Sequence, residues 1–377
     1  MRMAAVTTVL LLGLAACGQP TAPTSPSPSS RAAAGPSVSG TASPAPTPTP
    51  PPNLPRIGIQ VPVGFAAYRY ASGLGTATAM AFGPDGRLYV TSAAGSVAAV
   101  PSPGASPQIL ISGLPTTLGL VWRGNDLFVS VRGGVRAFQL AGGHLSGGGA
   151  VVAGLPVNRH QNDIPLLMPN GDFLLGVGST CDVCTEADER SASVLRFHSD
   201  WSYAGIVVRG TRNPYGLALR HSTGDAYVTI NGQDNLGAQP ADHLLRVVEG
   251  ENAGWPRCWP SFPDGGLQGS CAGVSPPIAV FTPHSSSDAV TFYEAAEFGS
   301  EYAGNAFVTQ WGANGGGTVG RRVVRVVFSG SGTSERGQVT DFATGFSHPL
   351  AIAVGPDGGL LVGDYGTGQV VEIFRTG

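Results

Sequence analysis

Four stretches of this 377-residue chain carry side chains suited to chemistry. The first is Arg159-His160-Gln161-Asn162-Asp163, just before the apolar run 164–167. An imidazole takes up a proton near neutral pH, and a loop position at a strand start can face a central pocket. His160 is therefore a candidate general base, although any one of seven histidines can equally be a surface loop residue. The second is Thr211-Arg212-Asn213-Pro214-Tyr215-Gly216-Leu217. Arg212 and Asn213, held by a proline, aim a guanidinium fork and an amide at one place, which suits a carboxylate-bearing or quinone-like ligand. The plainer alternative is an arginine that satisfies loop carbonyls. The third is Asn231-Gly232-Gln233-Asp234-Asn235-Leu236-Gly237, followed by Asp242-His243. Turn carbonyls with Asp and Asn make an oxygen-rich setting for a hard cation such as calcium, though the spacing is not that of an EF-hand loop and a polar turn would look the same. The fourth is Gly250-Glu251-Asn252-Ala253-Gly254-Trp255-Pro256 with Cys258 and Trp259. It reads either as an aromatic wall for a flat ligand or sugar ring, or as a packed corner.

These residues must be positioned by strands, because helical periodicity is nearly absent. Short alternating apolar strands recur between glycine-rich turns. They also repeat: Met80-Ala-Phe-Gly-Pro-Asp-Gly matches Ile352-Ala-Val-Gly-Pro-Asp-Gly, and similar units fall at 118–130, 166–177, 217–229 and 290–309. Each places Gly, Asn or Asp in a tight turn that needs residues tolerant of positive φ. Six units at about 50 residues each predict an all-β fold, a six-bladed β-propeller of four-stranded antiparallel blades. Residues 65–74 precede the first full unit and are placed to supply the outer strand of the last blade, closing the ring and hiding an edge. The longest interval, 229–290, collects the third and fourth motifs, and long loops of a propeller gather on one face.

The rest of the chain is divided as 1–17, 18–55 and 56–377. A positive start, an apolar run and Leu14-Ala15-Ala16-Cys17 describe an export signal with a cysteine at the cleavage point, so Cys17 is expected to be lipidated. The run is shorter than the ~20 residues of a membrane span. Residues 18–55 hold 12 of the 31 prolines and almost no large apolar side chains, as in an extended tether. The expected location is thus outside the cytoplasm, facing the periplasm or cell exterior, with membrane contact only through the lipid. Net charge is −3 with 12% charged residues and no basic patch, which argues against nucleic acid as a partner. All 21 basic residues are arginine, which excludes Schiff-base chemistry on lysine. Cys181, Cys184, Cys258 and Cys271 are expected to form two disulfides in an oxidising compartment; a four-cysteine zinc site is the alternative.

Taken together, the order of these motifs resembles the glucose/sorbosone dehydrogenase family, six-bladed propellers that use pyrroloquinoline quinone (PQQ). The likeness spans residues 60–376 and rests on Arg212-Asn213-Pro214-x-Gly216, Asn252-x-Gly254-Trp255-Pro256, Cys181-Asp-Val-Cys184 and the paired Gly-Pro-Asp-Gly turns. The Cys-x-Val-Cys segment looks closer to the sorbosone branch. The resemblance implies that His160 is the base acting on a sugar hydroxyl. It places Arg212 and Asn213 beside the quinone, with Arg212 also stabilising developing charge. It sets the backbone carbonyls of Gly232 and Gln233 on a calcium ion, and Gln233, Asp234 and Trp311 near the cofactor. Arg321 or Arg322 would stand in for the lysine that such enzymes place there. The chain departs from the pattern in three places: Ser179 stands where an acid nineteen residues after the histidine is usual, Gln161 where asparagine is usual, and there is no lysine.

The expected activity is a PQQ-dependent oxidation of a sugar or sugar-derived aldehyde by hydride transfer, passing electrons to an acceptor that the sequence does not identify. Two other readings compete. A propeller that kept the fold and lost PQQ would bind a carbohydrate or protein on its loop face, and the missing acid and lysine favour it. A calcium-dependent lactonase-like hydrolase would need carboxylates converging on the channel, and acids look sparse there.

Overall fold

The structure, a computed structural model, describes residues 54–313 and 317–376. The expected export signal, Cys17 and the part of the expected tether before residue 54 lie outside them.

Six blades follow one another, each an antiparallel sheet of four strands, the third extended by the two-residue parallel strand Glu251–Asn252. Blade 1 runs Ala77–Phe82, Leu88–Ser92, Ser96–Val100 and Gln108–Ile111. Blade 2 runs Thr117–Arg123, Asp126–Val131, Gly134–Ala141 and His144–Val152, and blade 3 runs Asn162–Leu167, Phe173–Val177, Ser193–Phe197 and Tyr203–Arg209. Blade 4 takes Asn213–Arg220, Asp225–Asn231, Asp242–Arg246 and, after a long insertion, Ala279–Phe281. Blade 5 is Ser287–Tyr293, Asn305–Gln310, Arg322–Ser329 and Arg336–Thr344. Blade 6 is Pro349–Val354, Leu360–Asp364, Gln369–Arg375 and, as its outer strand, Phe65–Ala71. Phe65 pairs with Arg375 and Tyr68 with Glu372, so the first strand of the propeller completes its last sheet, as residues 65–74 were expected to do. The first strands of successive blades touch in a closed ring, which makes them the channel wall. Among the described residues the one helical turn is Gly332–Ser334.

The core lies between blades rather than within one. Six buried clusters form, one at each blade-to-blade junction; Tyr89 and Val97 of blade 1 meet Leu120 and Leu127 of blade 2, and Phe128 of blade 2 meets Phe173 and Leu195 of blade 3. Middle strands are therefore covered on both faces. Leu88–Ser92 and Phe173–Val177 are buried at every position. This corrects the expectation of alternating strands: a sheet sandwiched between two neighbours has no solvent face, so its central strands read as continuous apolar runs.

Neighbouring blades are also clasped by hydroxyls. Ser130 Oγ donates to the Asn162 carbonyl at 3.2 Å and Thr309 Oγ1 to that of Leu350 at 2.8 Å. Thr229 Oγ1 makes the same bond to Asp288. Blade 3 has Gly176 at this position, and a Cβ there would sit 2.0 Å from the Pro214 carbonyl oxygen. Backbone contact replaces the hydroxyl clasp at that junction, beside the candidate site.

All six first strands carry a register irregularity against their second strands, for example between Asn162 and Pro165 and between Ser287 and Val290. Such bulges bend a strand and re-aim its side chains. Both disulfides form, Cys181–Cys184 and Cys258–Cys271, which excludes the four-thiolate zinc site. The second staples the hairpin Cys258–Pro260 with Leu267–Gly269 inside the blade 4 insertion.

Candidate active site

One face of the ring holds a cavity of about 800 Å³. The loop into blade 3 supplies Arg159 and His160. Blade 4 supplies Arg212, Asn213, Asn231, Gly232, Asp234 and Asp242; the loops of blade 5 supply His284, Ser286, Gly312 and Ala313. Residues far apart in sequence meet because each sits at the start of a first strand, at the end of a second strand, or in the connection from second to third. Three of the six non-glycine residues with positive φ among the described residues, Arg212, His284 and Ser286, lie here. Backbone in this sparsely populated region persists where surrounding bonds fix it, and it gathers at functional sites.

His160 is fixed by a backbone ladder at the cavity wall. Its N–H donates to the Ser179 carbonyl at 3.1 Å, and the Ser179 N–H donates to that of Arg212 at 2.6 Å. Its ring Nδ1 lies 3.1 Å from Ser179 Oγ. Burial, with the positive charge of Arg212 and Arg159 nearby, pushes the imidazole pKa down to about 4, so the ring is neutral at neutral pH. Gly178 makes the approach possible: a Cβ there would lie 2.3 Å from the His160 Cβ and 2.8 Å from Asn213 Oδ1.

Arg212 is almost fully buried and bound on one side. Its Nη2 donates to Asp182 at 2.7 Å and to Asp234 at 3.0 Å, and its Nη1 donates to the Asn231 carbonyl at 3.3 Å. Its Nε–H is buried without a partner. Asp234 also pairs with Arg159, and its Oδ1 lies 3.4 Å from His284 Nδ1. The two arginines are thus largely neutralised by two aspartates.

The part of the lining around Asp242 is oxygen-rich. Asp242 accepts from the Gly232 N–H at 2.9 Å, the Ser287 N–H at 3.1 Å and Ser285 Oγ at 3.2 Å. Burial lifts its pKa to about 6 against these bonds. Behind it, Asp288 accepts from Asn231 Nδ2 at 2.9 Å and from Ser286 Oγ at 3.0 Å, and burial lifts it to about 8. The channel is less poor in acid than the sequence suggests, with Asp163 also buried, on the first strand of blade 3.

The expected residues are distributed unevenly. His160, Arg212, Asn213, Gly232 and Asp234 converge on the cavity. Gln233 is buried but turns to a separate crevice of about 20 Å³, with its Nε2 on Asn235 Oδ1 at 3.1 Å and its Oε1 unpartnered. Trp311 is not among the lining residues; it stacks on His348 at 4.0 Å, while its neighbours Gly312 and Ala313 reach the wall. Arg321 packs against Gly312. Arg322 turns to Gln310, Thr282 and Asp341, away from the cavity. Of the fourth motif, Trp255 donates its Nε1–H to the Asp182 carbonyl at 3.0 Å and buttresses the Cys181–Cys184 loop, the packed-corner alternative.

Sequence reasoning missed Asp182, His284 and Ser286. Asp182 was visible as the one charge inside the Cys181-x-x-Cys184 loop. His284 and Ser286 precede the first strand of blade 5 as His160 precedes that of blade 3, so blade register could have found them.

Comparison with known proteins agrees with this fold. Residues 197–372, somewhat under half of the chain, match the family described as Glucose / Sorbosone dehydrogenase. The match bears out the resemblance without distinguishing the sorbosone branch, and it supports an oxidoreductase of the dehydrogenase kind. No curated protein sequence matches the chain. Among solved structures, the chain is similar to the calcium structure of a Trichoderma reesei carbohydrate-active enzyme of family AA12, at 18% identity and TM-score 0.73, covering 86% of this chain and 98% of that one. It is similar to the holo form of the pyranose dehydrogenase PQQ domain from Coprinopsis cinerea, at 17% identity and TM-score 0.73, with 86% and 98% covered. The PQQ-bound aldose sugar dehydrogenase from Streptomyces coelicolor aligns at 19% identity and TM-score 0.64, with 84% and 99% covered. At these identities the likeness establishes the shared propeller.

Proposed function

We propose that this chain is a PQQ-dependent dehydrogenase that oxidises a sugar or a sugar-derived aldehyde. The observation that carries the reading is His160, a neutral imidazole held at the wall of an 800 Å³ cavity beside Arg212 and Asn213. A neutral ring nitrogen not engaged by Ser179 is a base able to accept a hydroxyl proton as the carbon gives up its hydride.

The cavity's donor set fits PQQ, a planar quinone with three carboxylates. Arg159, Arg212 and Asn213 offer donors, and the buried, unpartnered Nε–H of Arg212 calls for an acceptor. Gly232, Asp234 and Asp242 on one wall give the oxygens that a calcium ion prefers. PQQ, when bound with calcium, would supply the two-electron acceptor. The chain's own residues bind and orient the substrate, hold the base, and set charge around it: Asp182 and Asp234 keep Arg212 fixed so that its field is in place before reaction.

Neutralisation of both arginines favours a second reading, a propeller that binds a neutral carbohydrate without oxidising it. Titration of the purified chain with PQQ and calcium, followed by aldoses and aldehydes with an acceptor dye, separates the two. Saturable quinone absorption changes with dye reduction support the dehydrogenase; sugar binding with no response to micromolar PQQ supports the alternative.

We further propose export and lipid anchoring at Cys17, supported by the charged start, the short apolar run and the proline-rich residues after it. Radiolabelled fatty acid should enter the wild-type chain and not a Cys17→Ala variant.

A further inference from the structure

We propose that Ser179 is a positioning residue that places the proton of His160 on Nδ1, and that the Cys181–Cys184 loop is the element that compels it to do so. The protons can be counted. Ser179 Oγ lies 2.6 Å from the Cys181 carbonyl oxygen, which can only accept. The single hydroxyl proton of Ser179 is committed to that bond. Oγ also lies 3.1 Å from His160 Nδ1, and with no second proton it can only accept there. The proton between them belongs to Nδ1. A neutral imidazole carries one N–H, so Nε2 holds the lone pair.

Each partner in this relay is held in place. Ser179 is fully buried, and both its backbone groups are engaged, the carbonyl by His160 and the N–H by Arg212. The Cys181 carbonyl belongs to a loop closed by the disulfide to Cys184. Asp182 ties that loop to Arg212 at 2.7 Å and to the Asp234 N–H at 2.9 Å, and Trp255 donates to the Asp182 carbonyl. Thr180 is bound through both its N–H and its hydroxyl to Glu186, at 2.7 and 2.6 Å. The carbonyl cannot turn away and free the serine proton without breaking these bonds. A hydroxyl with a fixed acceptor thereby does what a carboxylate does when it accepts from a histidine, without adding a charge.

The consequence for catalysis rests on the reading of His160 as the base, but the tautomer itself does not. Nitrogen-15 NMR of the histidine-labelled full chain, with the His160 signals assigned by their loss in His160→Gln, should show a protonated Nδ1 and an unprotonated Nε2. Ser179→Ala should shift the ring toward an Nε2-protonated or averaged pattern, and Ser179→Thr, which keeps the hydroxyl, should restore the original one. A wild-type ring protonated on Nε2, or an unchanged tautomer in Ser179→Ala, overturns the assignment. Should Ser179→Ala fail to fold, the wild-type and Ser179→Thr spectra still decide it. In the dehydrogenase assay, Ser179→Ala should lower kcat about tenfold or more with KM little changed. If the wild-type chain oxidises nothing, the dehydrogenase reading falls while the spectra still judge Ser179.

Discussion

One carboxylate oxygen of Asp182 accepts both the Arg212 guanidinium, at 2.7 Å, and the backbone N–H of Asp234, at 2.9 Å. A residue inside a four-residue disulfide loop on blade 3 thus fixes the arginine that opens blade 4 and the turn that follows that blade's second strand. Burial pushes the Asp182 carboxyl up, but these bonds outweigh it and hold its pKa below the ordinary value.

Asp182→Ala should therefore be destabilising by about 1–3 kcal/mol, the cost of leaving a buried charged donor short of a partner. Chemical denaturation measures it. A loss below about 0.5 kcal/mol would mean that the pair behaves as an exposed surface bridge and that Asp234 alone secures Arg212.

The depressed pKa of His160 sets a pH dependence. Burial and the Arg212 and Arg159 charges oppose its protonation, against the opposing pull of Asp234, so the base stays competent down to about pH 4. Oxidation, kcat/KM against pH, should be flat from about 5 to 7 and fall as pH drops through about 4, as far as the fold survives. A limb near 6.5 would point to an unperturbed histidine, and His160→Ala should lower kcat by about 10²-fold or more while PQQ still binds.

Gly178→Ala tests the packing behind the base. The added Cβ meets the His160 Cβ and Asn213 Oδ1 well inside contact distance, so one of them must move. Because a misplacement of about 1 Å can cost ~10²-fold, activity should fall sharply while far-UV circular dichroism stays that of a β protein. Unchanged kcat would show that the loop absorbs the methyl group.

Asp288 predicts a stability effect. Burial raises its pKa to about 8, so the folded state holds a proton that the unfolded chain releases near 4. The contribution is complete below about pH 4 and is lost as pH rises toward 8. Without added calcium, Tm should decline across that window, and Asp288→Asn should make the decline shallower; Asp242 and Glu372, also raised, keep some slope. An identical slope in the variant would remove Asp288 from the explanation.

Much of this protein was written in local sequence. The Gly-Pro-Asp-Gly turns and the 50-residue spacing specify repeated hairpins, because turn backbone with positive φ admits few residue types. Residues 65–74 announced the closing strand because an unpaired edge needs a partner. His160, Arg212-Asn213 and the 231–237 turn were legible as polar residues at strand ends, and the ring brings them together.

What the sequence left open is whatever depends on direction across blades. Arg321 and Arg322 are adjacent, yet Arg321 packs on Gly312 while Arg322 faces Asp341, because Arg321 sits just before the strand with a positive φ of 57° and Arg322 is its first extended residue. Trp255 reads as a ligand wall until it is seen to donate to the Asp182 carbonyl, 73 residues away. Ser179 reads as a lost acid until its hydroxyl is seen between His160 and the Cys181 carbonyl. Composition and periodicity fixed the ring because burial and turn strain act locally. Only the tertiary structure decided which hydrogen bond each polar group makes, because that depends on a partner which the closed ring brings within 3 Å.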